Sequence, residues 1–494
     1  MSVTIEGATV PRTRALSPNW LVLAVALGVF FAADDQTFVV TVLPSMIEGI
    51  GLPQDEFYRA AWIVNGYLLG YTVAMPLMGR VADVFGHARI YILSILIFMA
   101  GSAWVAMSPN LEMLIVARSF QAIGGGAVVP VAMAIVADIF PPERRAMGIA
   151  AMAAASEAGG LFGPLWGGSL VQVIGWRGLF WINLPMCFPI AVAVYMLARD
   201  RTRQRVPIDL LGGMFLAVGL TALTIALTDD PIEPRPLYFT LPLYAGAAAA
   251  GAAFVLREQL TRVPMVALNI FRSLPVAAGH VTNVLVGGGL IVAMASVPLF
   301  TNVVLGDSPL QGGLNLMRMT VMLPIGALLG GILSGWLGFH RTTAAGMTMC
   351  GAGFLLMSTW PADVGQWHMT LPLLLAGLGF GVVIAPIGTA VVNAVGEHQR
   401  ATVSALLQVA RLIGMLVGIA LLTSRGLGRF YERAAGIALD DPAYRRLVTE
   451  FEVTTFSETF VVTALVCFFA VLPALWLGRG LARRLTWREI WPLS

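Results

Sequence analysis

Fourteen stretches of this chain are apolar over about the 20 residues an α-helix needs to cross the hydrocarbon core of a bilayer, and no other feature constrains its fold as tightly. They run at 19–44, 58–79, 90–108, 111–139, 146–171, 178–198, 208–228, 237–257, 275–305, 312–337, 343–361, 369–394, 401–424 and 457–478. Lipid offers no partner to a backbone N–H or C=O, so each stretch must close its hydrogen bonds within itself as a helix. Only 12% of the residues are charged, about half the share in a soluble domain. The expectation is an all-α polytopic membrane protein. Arg12 and Arg14 before the first stretch imitate a signal peptide. That stretch is too long and lacks a convincing cleavage site, so it reads as a retained span.

Whole classes of chemistry are excluded by residue type. There is no Lys, so all 30 basic residues are Arg. That removes a phosphate-binding P-loop lysine and a Schiff-base lysine. No HExxH pair and no GxSxG elbow occurs, and the five His are scattered, so the chain does not read as an enzyme and needs no cofactor. Cys187, Cys350 and Cys467 sit in apolar runs, where small buried hydrophobes are expected rather than a disulfide or a metal site. A net charge of +3 without a basic, aromatic polar domain leaves nucleic acid out. The partner implied is membrane lipid.

The distribution of Arg orients the spans, because cytoplasmic loops carry the excess of positive charge. With both termini cytoplasmic, nineteen of the thirty Arg fall on the inner side, among them Arg80, Arg89, Arg144, Arg145, Arg199, Arg201, Arg203 and Arg205. A long outer segment at 425–456 holds five more, balanced by acids. Its helical-looking stretches suggest that the last two spans project beyond the membrane.

An internal repeat organises the chain. GRVADVFGHAR (79–89) aligns with GILSGWLGFHR (331–341), matching Gly79 with Gly331, Gly86 with Gly338 and Arg89 with Arg341. Gly159 and Gly163 match Gly414 and Gly418 at nearly the same offset. The implied organisation is a six-helix bundle at 1–200, an inserted helix pair with its linkers at 201–272, and a second six-helix bundle at 273–494. Duplicated bundles commonly carry substrate at their interface.

Gly159, Gly163 and Gly167 stand four residues apart, which makes one face of the fifth span a groove for a second helix, with Pro164 as a kink and Gly168 beside it. A plain packing seam is the competing reading. Gly79 and Gly86 permit tight turns after the second span, and Asp83 and Arg89 suit bridges to neighbouring helix ends; a solvated charged loop is the alternative.

Within this frame the sequence resembles the major facilitator superfamily, specifically its fourteen-helix drug:proton antiporter branch. The resemblance rests on GRVADVFGHAR, on RSFQAIGGGA from Arg118, on GGLFGPLWGG (159–168), on ADDQTFVVTVLP (33–44) and on WRGLFWINLP (176–185), and it covers essentially the whole chain. AAWIVNGYLLGYTVAMPLMGR, ASEAGGLFGP and VARLIGMLVG look like the mycobacterial members that export lipids and drugs. Two departures concern the loop motif. Val84 and His87 stand where the family usually has basic residues, and the second copy has Gly335 in place of the acid. The resemblance implies a major facilitator fold in the cell (inner) membrane and a proton-coupled exporter of hydrophobic or amphipathic compounds, drugs or lipids. It names GGLFGPLWGG as the antiporter motif and Asp83 with its neighbours as a gating loop. Uptake by symport and a non-transporting structural or receptor role are the alternatives. An extracytoplasmic lipid carrier protein is a conceivable partner of 425–456.

Ionisable residues inside the spans are costly, roughly 2.5–3.5 kcal/mol each on insertion scales, and are therefore functional candidates. They are Asp34, Asp35, Glu157, Arg118 and Arg411, with Asp138 and Arg318 nearer helix ends. Buried Arg must find acids. The resemblance makes Asp35 the proton acceptor of the first span, and Arg118 with Gln121 one turn on suits contact with a carboxylate. In the repeat Arg411 aligns with Ser156, so Glu157 and Arg411 are placed to pair between the halves. Such a pair either switches with the access state, taking up a proton when open, or is a permanent structural bridge. Asp34, Asp35 and Glu157 align with Gly288, Gly289 and Leu412, which confines the acids to the first half. Asn65, His280, Asn283 and Asn393 line a pathway or simply satisfy helix-to-helix hydrogen bonds.

Overall fold

The structure is a computed structural model that describes residues 18–140, 142–198, 209–228, 235–261, 264, 266, 268–396, 400–434 and 444–478. Arg12, Arg14, the Arg run at 199–205 with the 200/201 boundary, residues 435–443 of the long outer segment and Arg479–Arg488 lie outside these residues. The described chain is helical: α1 (Pro18–Gly49), α2 (Ala61–Phe85), α3 (His87–Met107), α4 (Leu111–Ile139), α5 (Pro142–Leu197), α6 (Leu210–Leu227), α7 (Leu237–Leu260), α8 (Leu274–Val303), α9 (Pro309–Thr320), α10 (Met322–Leu337), α11 (Phe339–Met357), α12 (Gln366–Asn393), α13 (Arg400–Leu421), α14 (Gly428–Ala434), α15 (Tyr444–Phe469) and α16 (Val471–Ala474).

Twelve helical stretches among the described residues are long and apolar enough to cross a membrane. One of them, 44 residues within α5, is broken by Gly175 at φ 69°. At 1.5 Å per residue it would extend about 66 Å, twice the hydrocarbon thickness. The run expected at 343–361 corresponds to α11, which is not among the twelve; His340, Arg341, Thr342 and Thr343 dilute its apolar character.

Local signals explain where helices start and stop. Asn110 caps α4 by accepting from the Met113 N–H at 3.0 Å, and Asp209 caps α6 by accepting from Gly212 at 3.1 Å. The connections α2–α3 and α10–α11 are single residues, Gly86 (φ 104°) and Gly338 (φ 81°). Those left-handed angles are open only to glycine without strain, and the two positions are counterparts in the aligned loop motif. Gly79, read as a turn residue, instead lies inside α2, and the chain turns at Gly86 alone.

In the first half α1 packs on α5, and α2 and α3 on α4; in the second, α8 packs on α13, and α12 on α10 and α11. Contacts between the two groups run α5 to α9, α2 to α13 and α1 to α8. α6 and α7 pack mainly on each other, at the margin. Leu237, Tyr238, Leu241 and Leu260 of α7 are exposed, which suits a helix facing acyl chains rather than water.

Candidate functional site: buried ion pairs around a central cavity

The α1–α5 seam is set by small residues. A side chain at Gly159 would collide with the Phe30 carbonyl oxygen, one at Gly163 would stand 2.9 Å from the Asp34 oxygen, and one at Gly167 would stand 2.8 Å from Phe38 Cβ. The α8–α13 seam repeats this arrangement. Gly414 abuts Val284 and Gly288, and Gly418 would press within 2.8 Å of the Gly288 oxygen. Helices can approach this closely only where Cβ atoms are missing. Gly168 belongs to a different contact, against Pro309 and Gly313 of α9, and Gly313 in turn abuts the Pro164 carbonyl. This holds the first and second helix groups together at the end of the bundle that carries Gly175.

Asp35 is fully buried beside the α1–α5 seam and is saturated with donors. Arg118 donates to its Oδ2 at 2.7 Å; Gln121 and Asn183 donate to its Oδ1 at 2.9 and 3.1 Å. Ser102 accepts from both amides, at 3.1 and 2.8 Å, and donates to the Phe180 carbonyl. The Arg118 guanidinium also accommodates the Gln121 oxygen at 2.6 Å and lies 4.0 Å from the Tyr67 ring centroid. A buried charge is tolerable only when it is paired in this way, although the Arg118 Nε is left without a partner among the described residues. Asn183 and Ser102 were not singled out from sequence, although Asn183 stands in the quoted WINLP motif.

Glu157 and Arg411 meet across the helix groups, with Arg411 Nη1 donating to Glu157 Oε1 at 3.3 Å. The pair is less enclosed than Asp35–Arg118, Glu157 keeping 39% of its side chain accessible. It faces a cavity of about 110 Å³ whose polar wall is Gln36, Thr37, Tyr71, Ser156, Thr320 and Gln408. None of these six was proposed as a pathway residue. Gln36 follows Asp35 in DDQT and Gln408 precedes Arg411 by one turn, a spacing that would have found both. Met75, Leu290, Met294, Leu323 and Met415 supply much of the apolar wall.

The remaining sequence-selected residues lie apart from this cavity wall. His280 is bonded to its own helix at the Val276 oxygen, 2.7 Å away, and packs edge-on to Phe271. Asn283 donates to the Leu407 carbonyl at 2.5 Å, tying α8 to α13. Asn65 is completely buried in α2 with no hydrogen-bond partner among the described residues, and Asn393 is exposed at the end of α12. In the loop motif His87 bridges Asp83 (3.1 Å) and Asp138 (2.6 Å), linking α2, α3 and α4. Arg89 stands two residues further on in the first turn of α3, and Arg80 donates to the Pro264 carbonyl at 3.1 Å. Arg318 has no carboxylate within reach among the described residues; it donates to the Gln366 carbonyl, the Gln366 side chain and Thr370, each at 2.9 Å. Cys187, Cys350 and Cys467 are buried free thiols.

Comparison with known proteins agrees with this architecture. A triacylglyceride transporter of Mycolicibacterium hassiacum is 33% identical over 94% of this chain and 93% of its own length, and one of Mycobacterium tuberculosis is 33% identical over 92% and 93%. Among solved structures, a bacterial homologue of the human lysosomal transporter Spinster superposes with TM-score 0.64 at 18% identity, covering 93% of this chain and 98% of that one. A D-xylose–proton symporter superposes with TM-score 0.61 at 14% identity over 91% and 97%. At such identities the structures speak to the fold alone. The family model for the Major Facilitator Superfamily matches residues 25–419, so the chain belongs to that superfamily and is a multi-pass membrane transporter rather than an enzyme.

Proposed function

We propose that this transporter is a proton-coupled exporter of hydrophobic or amphipathic compounds, lipids foremost, working by alternating access between two six-helix bundles. The observation that carries the reading is the Glu157–Arg411 pair, the one ion pair joining the two helix groups at the central cavity among the described residues. A cavity of about 110 Å³ is well below the roughly 300–1,000 Å³ of small-molecule sites. Passage of a lipid therefore requires the bundles to part, and parting them separates Glu157 from Arg411. A carboxylate that loses its cation in a poorly hydrated site takes up a proton; re-forming the pair releases it. Motion and protonation are thereby tied together, with protons as the only cofactor. The triacylglyceride transporters at 33% identity support lipid as the cargo class, with drugs as further substrates.

The same proposal takes fourteen crossings, counting α5 as two about Gly175 and adding α11 to the twelve longer stretches, with both termini cytoplasmic. It places the bundle boundaries at 1–200 and 273–494, with α6 and α7 as the inserted pair. The matching glycine contacts of the α1–α5 and α8–α13 seams support that division. Two residues beyond the outer segment, Glu458 of α15 accepts from both Arg429 and Arg433 of α14 at 2.9 and 2.6 Å. The tie links α14 to α15 beside the segment proposed as the docking site of a lipid carrier protein.

The test is reconstitution in liposomes with an imposed pH gradient and labelled triacylglycerol or a labelled lipophilic cation. Substrate movement driven by the gradient is expected, with triacylglycerol among the cargo. Movement of neither substrate with the gradient overturns the proposal.

A further inference from the structure

The two copies of the loop motif differ most where the first carries charge. Asp83 and His87 of the first copy stand where the second has Gly335 and a buried Phe339. His87 lies between the apolar runs at 58–79 and 90–108, and the turn at Gly86 brings it back over Asp83 as the first residue of α3. Its Nε2 meets Asp83 Oδ1 at 3.1 Å, and its Nδ1 meets Asp138 Oδ2 at 2.6 Å. A neutral imidazole has one N–H, so its other nitrogen would turn a lone pair toward a carboxylate. Only the imidazolium donates to both acids.

From this geometry we infer that His87 is a pH-sensitive clasp: protonated, it ties α2 and α3 to α4, and in an alkaline medium it gives up its proton and releases one of the two acids. A guanidinium in its place would keep its charge at every accessible pH. The switch therefore belongs to the histidine that this chain carries where a basic residue is usual. Water reaches it, since Asp83 and Asp138 keep 37% and 44% of their side chains accessible. The proton that leaves goes to that water and returns from it. Among the charged groups nearby, Arg80 of α2 is directed to the Pro264 carbonyl, Arg89 follows in the first turn of α3, and Asp83 and Asp138 are the two acids already engaged. At the start of α5 the side chains of Glu143, Arg144 and Arg145 lie outside the described ones. Hydrogen bonding to Asp83 first, and then to Asp138, outweighs partial burial and lifts the imidazole to about 9. A raised native value means that the stabilisation is complete below the ordinary imidazole range and is lost as the pH rises through about 9. The clasp stands apart from the acids around the cavity and holds whether or not transport is coupled to protons.

The experiment is nuclear magnetic resonance of the full-length protein in lipid nanodiscs, with nitrogen-15 in its five imidazoles. The His87 signal is the one missing from His87→Gln and from His87→Arg. It should report an imidazolium at neutral pH that titrates above the exposed His368, and Asp138→Asn should shift that titration downward. Hydrogen exchange of residues 79–89 reads the clasp itself. Wild type and His87→Arg should be equally protected in mild acid, whereas in alkali wild type alone should lose protection relative to the Arg variant at the same pH. A neutral His87 ring at neutral pH, or wild-type protection that follows His87→Arg into alkali, overturns the inference. Should His87→Arg not fold, Asp138→Asn decides: an unshifted His87 titration overturns the clasp, and a downward shift supports it.

Discussion

The α1–α5 seam and the α8–α13 seam are built on the same plan, and only one of them carries acids. Gly159 and Gly163 meet the backbone at Phe30 and Asp34; Gly414 and Gly418 meet it at Val284 and Gly288. Around the first seam stand Asp34, Asp35 and Glu157, whereas the aligned positions of the second are Gly288, Gly289 and Leu412. Arg118 is held by a carboxylate within the first group, Arg411 of α13 reaches across to Glu157 of that group, and Arg318 has only neutral oxygens. The difference separates two things that symmetry would otherwise confound. Close packing of helices needs small residues and is shared by both halves, while the membrane acids that the proposed proton coupling needs stand in one.

That comparison can be broken at several points. The largest effect is expected from Gly163→Val, which drives methyl groups into Thr37 and the Asp34 backbone. Overpacking against backbone atoms, which cannot rotate out of the way, falls beyond the usual cost of an inserted methyl group, and monodisperse protein on size-exclusion chromatography should be lost. Gly160→Ala, whose nearest neighbour would be Thr37 Cγ2 at 3.8 Å, should behave as wild type. Gly418→Val should be as damaging as Gly163→Val, since the packing is shared; a harmless Gly418→Val would break the parallel. Next in size, Arg118→Ala strands the Asp35 charge and should cost about 3–5 kcal/mol. Arg318→Ala, which strands only neutral oxygens, should cost about 1–3 kcal/mol. Thermal unfolding in detergent orders the two.

The smallest effect belongs to the marginal pair α6–α7, outside both seams. Asp209→Asn keeps a capping side chain on Gly212 but loses the charge facing Arg257, and should lower thermal stability only slightly. Burial pushes the Asp209 carboxyl upward, but the Gly212 N–H, Arg257 and Thr261 outweigh it and hold the group below its ordinary value. A lowered native value means that this stabilisation is complete above the ordinary carboxylate range and fades as the pH falls through the native value. The thermal midpoints of wild type and Asp209→Asn should therefore differ at neutral pH and converge in acid.

The fold was legible wherever one physical demand acted alone. Runs of apolar residues had to be helices, and Gly86 and Gly338 had to be turns once each stood between two such runs. Gly79 misled because glycine serves both a turn and a close helix contact, and composition cannot tell which. At the candidate site, Arg118, Gln121 and Asp35 were readable because charge in a membrane must be paired and one helical turn separates the first two. Asn183 and Ser102 were not, because neutral donors carry no such obligation and their partner lies far away in sequence.

The central claim is that coupling to protons resides in the acids of the first half. It is tested most directly by measuring triacylglycerol flux in proteoliposomes containing the variant Glu157→Gln, with and without a pH gradient. The account predicts that flux down the substrate's own gradient persists while its acceleration by the pH gradient disappears. Acceleration equal to that of the wild type would contradict it.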